Sequence, residues 1–314
     1  MIAAPVVTFA EQIRSPGDYL YLLVDPLAAC GTTRPLAIES LVHELGTDAV
    51  TRVLRPDLAH APALCPALVQ LGTPGAAAPQ RLLELSALQT QEDLDYGKRY
   101  VCGWLASPER LGPTAHHIAT QCRITSSSVR KATTPWFEPV RLELLAGALG
   151  PQAGAMLAPI SAWLFPTSWG SFSVLRSKPA TASEDYTELV RHTQNAAQLV
   201  SDFLGIWRLA QRQALSFAPW RWNGASPLPP QAGVHAFRLI RDAQQLGLRN
   251  ERDIFALCLY RVCIHPLLPT HSDIQRDILD AVKDKHGLED CFQAYDDAAW
   301  KRIFASLPRT ENYS

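Results

Sequence analysis

Histidine and cysteine are the residues of this chain best suited to chemistry, and they fall into two groups. His116, His117 and Cys122 lie within one helical stretch, and Cys258, Cys263 and His265 lie near the end of another. Three- and four-residue spacings put helical side chains on one face, which is how a metal ion collects ligands. Adjacent histidines diverge by about 100° around a helix, so His116 and His117 do not share one ion with Cys122. The second group lacks a fourth ligand unless Cys291 or His271 supplies it. Its plainer reading is two buried thiols and a histidine at a helix C-terminus before Pro266.

Nucleophile signatures are missing. GxSxG, the P-loop, GxGxxG and HExxH do not occur. Gly170-Ser171-Phe172-Ser173 has no second glycine to make a nucleophile elbow and reads as strand. Glu92-Asp93 and Asp296-Asp297 are adjacent rather than same-face carboxylates. The expectation is that the chain has no catalytic residues, no metal and no cofactor.

Features suited to binding are better developed. Trp220-Arg221-Trp222 sits in a proline- and glycine-rich segment between residues 217 and 233. Tryptophan and arginine are the types that dominate interface hot spots. The indoles either contact a partner or fold back between the lobes as a plug. Arg208 and Arg212 share one face of the preceding helix and would add a charged rim or stand in solvent.

The elements that position these residues change halfway along the chain. Tyr19–Val24 reads as a buried strand stopped by Asp25-Pro26. A helix follows over 35–45, ended by Gly46, then an apolar run around 67–71 and a helix over 80–86. Tyr100–Ala106 is a second strand. Ser107 and Pro108 look like the cap and first position of a helix running to Cys122. Val140–Leu149 is helical, and Trp163–Leu175 alternates as a strand. A polar connection over 177–183 leads to one long helix over 184–215, with Leu189, Val190, Thr193, Ala197, Val200, Leu204 and Trp207 at three-and-four spacing. Helices over 234–246, 251–263 (capped by Asn250), 272–286 and 296–307 complete the chain. The expected architecture is an α/β lobe over 1–180, a small mixed sheet with flanking helices, followed by an all-α lobe over 181–314.

Composition agrees with an ordinary globular protein. The 314 residues are 47% hydrophobic and 19% charged, enough for a sizeable core in each half. With 29 basic and 30 acidic residues the net charge is −1, so no overall field draws the chain to nucleic acid or an anionic membrane. Seven cysteines without a CxxC pair suit a reducing compartment, and no apolar run approaches the length of a membrane span. The apolar opening, Met1 to Ala10, has no basic flank and contains Pro5, so it is a poor signal peptide.

Several segments, taken in order, resemble the type VI secretion effector chaperones, also called adaptor or Tap/TEC proteins. Tyr21-Leu-Leu-Val-Asp25 is similar to the family's opening strand, and Cys65-Pro66-Ala67-Leu68-Val69 to its proline-containing strand. Gly103-Trp104-Leu105-Ala106-Ser107-Pro108 resembles its strand-serine-helix unit. Trp136-Phe137-Glu138-Pro139-Val140-Arg141-Leu142 resembles its aromatic, aspartate, proline, arginine segment, and Ala158-Pro159 to Trp163 its proline-to-tryptophan stretch. Departures exist: Glu138 replaces the aspartate, Pro135 stands where arginine is common, and Arg141 is displaced by one. The resemblance covers about residues 19–175, with Ala236–Ala243 similar to part of the variable helical lobe.

The resemblance implies a non-enzymatic protein of the bacterial cytoplasm. Such a protein binds a toxic effector and helps load it onto VgrG, the valine-glycine repeat spike protein, without membrane insertion or nucleic acid. It implies structural roles for Asp25, Trp136, Phe137, Glu138, Pro139 and Trp163. The alternatives are a small cytoplasmic metal- or thiol-dependent hydrolase using His116 or Cys258 and Cys263, and an immunity protein that neutralises a toxin.

Overall fold

A computed structural model describes residues 2–28, 30, 34–95, 97–124, 133–179, 184–212 and 228–308. The chain divides into two compact units, Met1–Ala197 and Gln198–Ser314. The first contains a six-stranded sheet and the second is helical.

In the first unit the chain runs α1 (Ala4–Thr8, continued by a π turn to Ile13), β1 (Tyr19–Val24), α2 (Ile38–Leu45), β2 (Val50–Arg52) and β3 (Ala67–Gly72). It continues through α3 (Gln80–Glu92), β4 (Val101–Ser107), α4 (Leu111–Ile124), α5 (Pro139–Leu149), β5 (Ala162–Pro166) and β6 (Phe172–Arg176). The strand order is β2-β3-β1-β4-β5-β6. Every pairing is antiparallel, where a mixed sheet was expected. The reason lies in the crossovers. α2 carries the chain over β3 to β2, and α3 carries it over β1 to β4, so the strands that run parallel never touch. This is the split β-α-β connectivity of ferredoxin-like sheets, extended at one edge by the β5–β6 hairpin.

Both faces of the sheet are covered, which is why its inner strands read as continuous apolar runs. On one face Leu20, Leu22, Val69, Trp104 and Leu164 pack with Val6 and Phe9 of the N-terminal segment and with Leu41, Leu82 and Ala87 of α2 and α3. The buried Trp104 indole donates to Ser86 Oγ at 3.0 Å. On the other face Tyr21, Leu23, Leu68, Leu105 and Trp163 meet Ile118 and Cys122 of α4 and Leu142 and Leu145 of α5. Burial of each such leucine is worth about 1.5–3 kcal/mol.

Gly103 shows how tightly β4 meets β5. Its φ is +141°, and a Cβ there would lie 2.4 Å from the Leu164 carbonyl oxygen. Two expectations for this region need correction. Trp163–Leu175 is not one strand but the β5–β6 hairpin, because Gly170 at φ +83° turns the chain back. Helix α4 starts at Leu111 rather than at Pro108. Ser107 is still in β4, and its Oγ accepts the Glu109 N–H at 3.2 Å in a turn that precedes the helix.

α6 (Glu184–Arg212) spans the division between the units. The second unit continues with α7 (Ala232–Gln245), α8 (Glu251–Cys263), α9 (Ser272–Val282), α10 (Leu288–Ala294) and α11 (Asp297–Ser306). The Asn250 side chain caps α8 by accepting from Arg252 N, as its position predicts. Aromatic packing holds this unit together. Trp300 has ring-centroid distances of 4.8 Å to Tyr260 and 5.5 Å to Phe292, while Phe203 lies 6.1 Å from Phe255. Among the described residues, no helix is long and apolar enough to cross a membrane.

Candidate functional site at the end of strand β1

β1 ends at Val24, and the backbone N–H of the next residue, Asp25, donates to the Tyr100 carbonyl at 2.8 Å. With Pro26 forcing a turn, Asp25 Oδ1 accepts the Leu27 N–H at 3.0 Å. The carboxyl is buried, and that burial raises its pKa above the usual carboxylate range. Glu138 adds to the rise, while the Leu27 N–H, Lys98 and Arg55 oppose it.

The Trp136–Pro139 segment closes over the same end of the sheet. Pro139 occupies the first turn of α5, where its missing N–H costs nothing. The Trp136 indole donates to the Ile118 carbonyl at 3.1 Å and meets Trp163 edge-on at 5.2 Å. Phe137 lies beneath the Arg55 guanidinium, 5.9 Å from the ring centroid. Glu138 holds Arg141 Nε at 2.9 Å and Lys98 Nζ at 3.5 Å. Arg141 also donates to the Gln194 carbonyl of α6 at 2.7 Å. The displaced arginine of the sequence motif therefore still pairs with the motif's acid, one helical turn along.

Arg55, Asp57 and Lys98 complete the cluster and were not singled out in the sequence. Arg55 is buried and grips Asp57 through two nitrogens, at 2.6 and 3.2 Å. The Arg-Pro-Asp spacing was the available signal, since proline turns the chain and lets residues two apart pair. Three acids (Asp25, Asp57, Glu138) stand with three bases (Arg55, Lys98, Arg141), and the buried Cys102 and Cys122 thiols lie in electrostatic range of them. Such an arrangement fixes segments from β1, the β2–β3 connection, α5 and α6.

The other sequence candidates are dispersed. Trp220, Arg221 and Trp222 lie outside the described residues. Arg208 is buried, against the expected solvated rim, because α6 packs a wide stripe that includes Phe203, Leu204 and Trp207. Arg212, one turn on, is exposed.

His116 is exposed, and His117 Nε2 lies 3.2 Å from the Met156 carbonyl oxygen. Burial lowers the His117 pKa and pushes the Cys122 and Cys258 thiols up to about 12. His265 Nδ1 accepts the Leu267 N–H at 3.1 Å, and His271 Nδ1 caps α9 by accepting from Asp273 N at 3.2 Å. Among the described residues no three His, Cys, Asp or Glu side chains are grouped to hold a metal. A shallow depression lined by Pro35, Glu39, Ser40, His43, Glu44 and Arg81 contains no residue of the β1-end cluster.

Comparison of the chain with family models, curated proteins and solved structures finds no match in any of the three.

Proposed function

We propose that this chain is a non-enzymatic adaptor of the type VI secretion effector chaperone kind, which holds a toxic effector in the producing cell and helps load it onto VgrG. The observation that carries the reading is the convergence at the end of β1. Asp25 and Glu138 stand in electrostatic range, and Trp136 packs on Trp163, although these residues are far apart in sequence. Segments that resemble the family one by one therefore serve one joint in the fold. A joint built from balanced ion pairs and aromatic packing holds a binding surface in place and leaves chemistry to the cargo.

The test is affinity purification of the tagged chain from its own bacterium, followed by mass spectrometry and metal analysis. Recovery of VgrG together with a multidomain toxin, without stoichiometric metal, is the expected result. A lone chain carrying stoichiometric zinc would contradict it.

A further inference from the structure

The sheet ends at β6, and its hydrogen bonds to β5 use alternate residues. Thr167 N–H donates to Ser171 O at 2.9 Å at the turn, and Ser177 N–H donates to Ser161 O at 2.8 Å at the far end. In the register Phe165↔Ser173 and Trp163↔Leu175, these bonds place Ser171, Ser173, Leu175 and Ser177 on the β5 side. The backbone N–H and C=O groups of Phe172 and Val174 therefore point outward, where no described residue receives them. Their side chains, half-buried, pack on the core face shared with α2 and α3.

The edge is closed at one end. The Gly150–Met156 3₁₀ segment lies along Arg176, with Gly154 O accepting the Lys178 N–H at 3.2 Å. A Cβ on Gly154 would come within 2.0 Å of the Arg176 carbonyl oxygen. Arg176 and Lys178 are exposed and form no ion pair with a described carboxylate.

We propose that the outer edge of β6 from Phe172 to Val174 accepts an extended segment of a partner protein, with an acidic group at the end that meets Arg176 and Lys178. Unpaired donors and acceptors at strand spacing are matched by another extended main chain, and side chains at alternate positions then add selectivity. An added strand would also finish the burial of Phe172 and Val174. Self-pairing of two copies is disfavoured by the closed end. Antiparallel pairing about Val174 would set Phe172 of the second copy opposite Arg176, where the Gly150–Met156 segment lies. The two cations at that end favour a carboxylate instead. The inference stands whether or not the partner is a secretion effector.

The probe is a fluorescein-labelled peptide of alternating valine and threonine closed by an aspartate pair, titrated into the full chain by fluorescence anisotropy. Saturable binding is expected. Val174→Pro and Arg176→Glu should each weaken it by about tenfold, and N-methylation of the peptide's alternate amides should abolish it. Proline is tolerated at Val174 because that N–H is outside the β5 ladder. In residue-resolved hydrogen exchange of the free protein, the Phe172 and Val174 amides should exchange faster than those of Ser173 and Leu175, then slow when peptide is bound. Absence of saturable binding, equal binding of the methylated peptide, or uniform protection of all four amides in the free protein would overturn the proposal. If Val174→Pro does not fold, Arg176→Glu and the methylated peptide still decide it.

Discussion

Trp136 and Trp163 meet edge to face with ring centroids 5.2 Å apart, joining the segment before α5 to strand β5. Both indoles are fully buried, and the contact closes the core on the α4–α5 side of the sheet. Trp136→Ala should cost about 3–5 kcal/mol, as large aromatic truncations in well-packed cores do. The paired cycle with Trp163→Ala should show coupling of about 0.5–1.5 kcal/mol. Denaturant melts of the four proteins measure both quantities. Simple additivity would mean that the rings contribute area alone.

Arg141 links Glu138 to the backbone and side-chain oxygens of Gln194, so its loss removes three bonds at once. Arg141→Ala should destabilise the chain by about 1–2 kcal/mol, and Glu138→Gln by less, since the glutamine retains an acceptor for Arg141. The same melts in high salt should narrow the gap only slightly, because Arg141 is largely buried. Equal, fully salt-sensitive losses would reduce the network to a surface ion pair.

Asp25 carries a pH dependence of unusual sign. Its folded carboxyl titrates above the unfolded one, mainly through burial, so the native state holds the proton more tightly. Between about pH 4, where the unfolded group titrates, and its raised native value, Asp25 lowers stability progressively as pH rises. Asp25→Asn keeps an oxygen for the Leu27 N–H and removes the buried charge. The variant should be more stable than the parent at pH 7, with the difference vanishing below about pH 4. A thermal-melt series against pH checks this, and an Asn variant less stable at neutral pH would show that Arg55 and Lys98 outweigh the burial.

Burial also orders the thiols. Cys122 and Cys258 are pushed up to about 12, and Cys102, fully buried, is raised well above the ordinary value. Because the thiolate is the reactive form, these three should resist alkylation at neutral pH until the protein unfolds. Cys30, Cys263 and Cys291 are partly exposed and should be modified first. Timed labelling with peptide mapping gives the order. Early modification of Cys258 would contradict the packing of α8.

Gly103→Ala places a methyl group against the Leu164 carbonyl and the Trp163 ring at a positive φ. The sheet has no slack between β4 and β5, so a loss of about 3 kcal/mol or more is expected. Stability near that of the parent would require the β4–β5 ladder to shift.

Strand β1 was legible because six apolar residues run without a break into Asp25-Pro26. The long α6 was legible because its stripe keeps helical spacing over many turns. Strand β2 was not, since three residues, Val50-Thr51-Arg52, carry too little pattern and gain their place only from pairing with β3. The β5–β6 turn was hidden because Trp169 and Phe172 continue the apolar alternation across it. The N-terminal helix escaped notice because Val6 and Phe9 are buried by residues far along the chain. At the site, Trp136, Glu138 and Pro139 stood out as a local motif. Lys98 did not, because its partner Glu138 is brought to it by the fold at no fixed spacing, and Arg55, though its partner Asp57 is only two residues on, carries no local sign that the fold buries it against Phe137.

The adaptor reading is tested most directly by size-exclusion chromatography with light scattering on the complex recovered through the tagged chain. The account predicts one species whose mass requires this chain, a toxin and VgrG together, and which falls apart when the chain is removed. A tight binary complex with a toxin domain that excludes VgrG and abolishes toxicity would contradict it and identify the chain as an immunity protein.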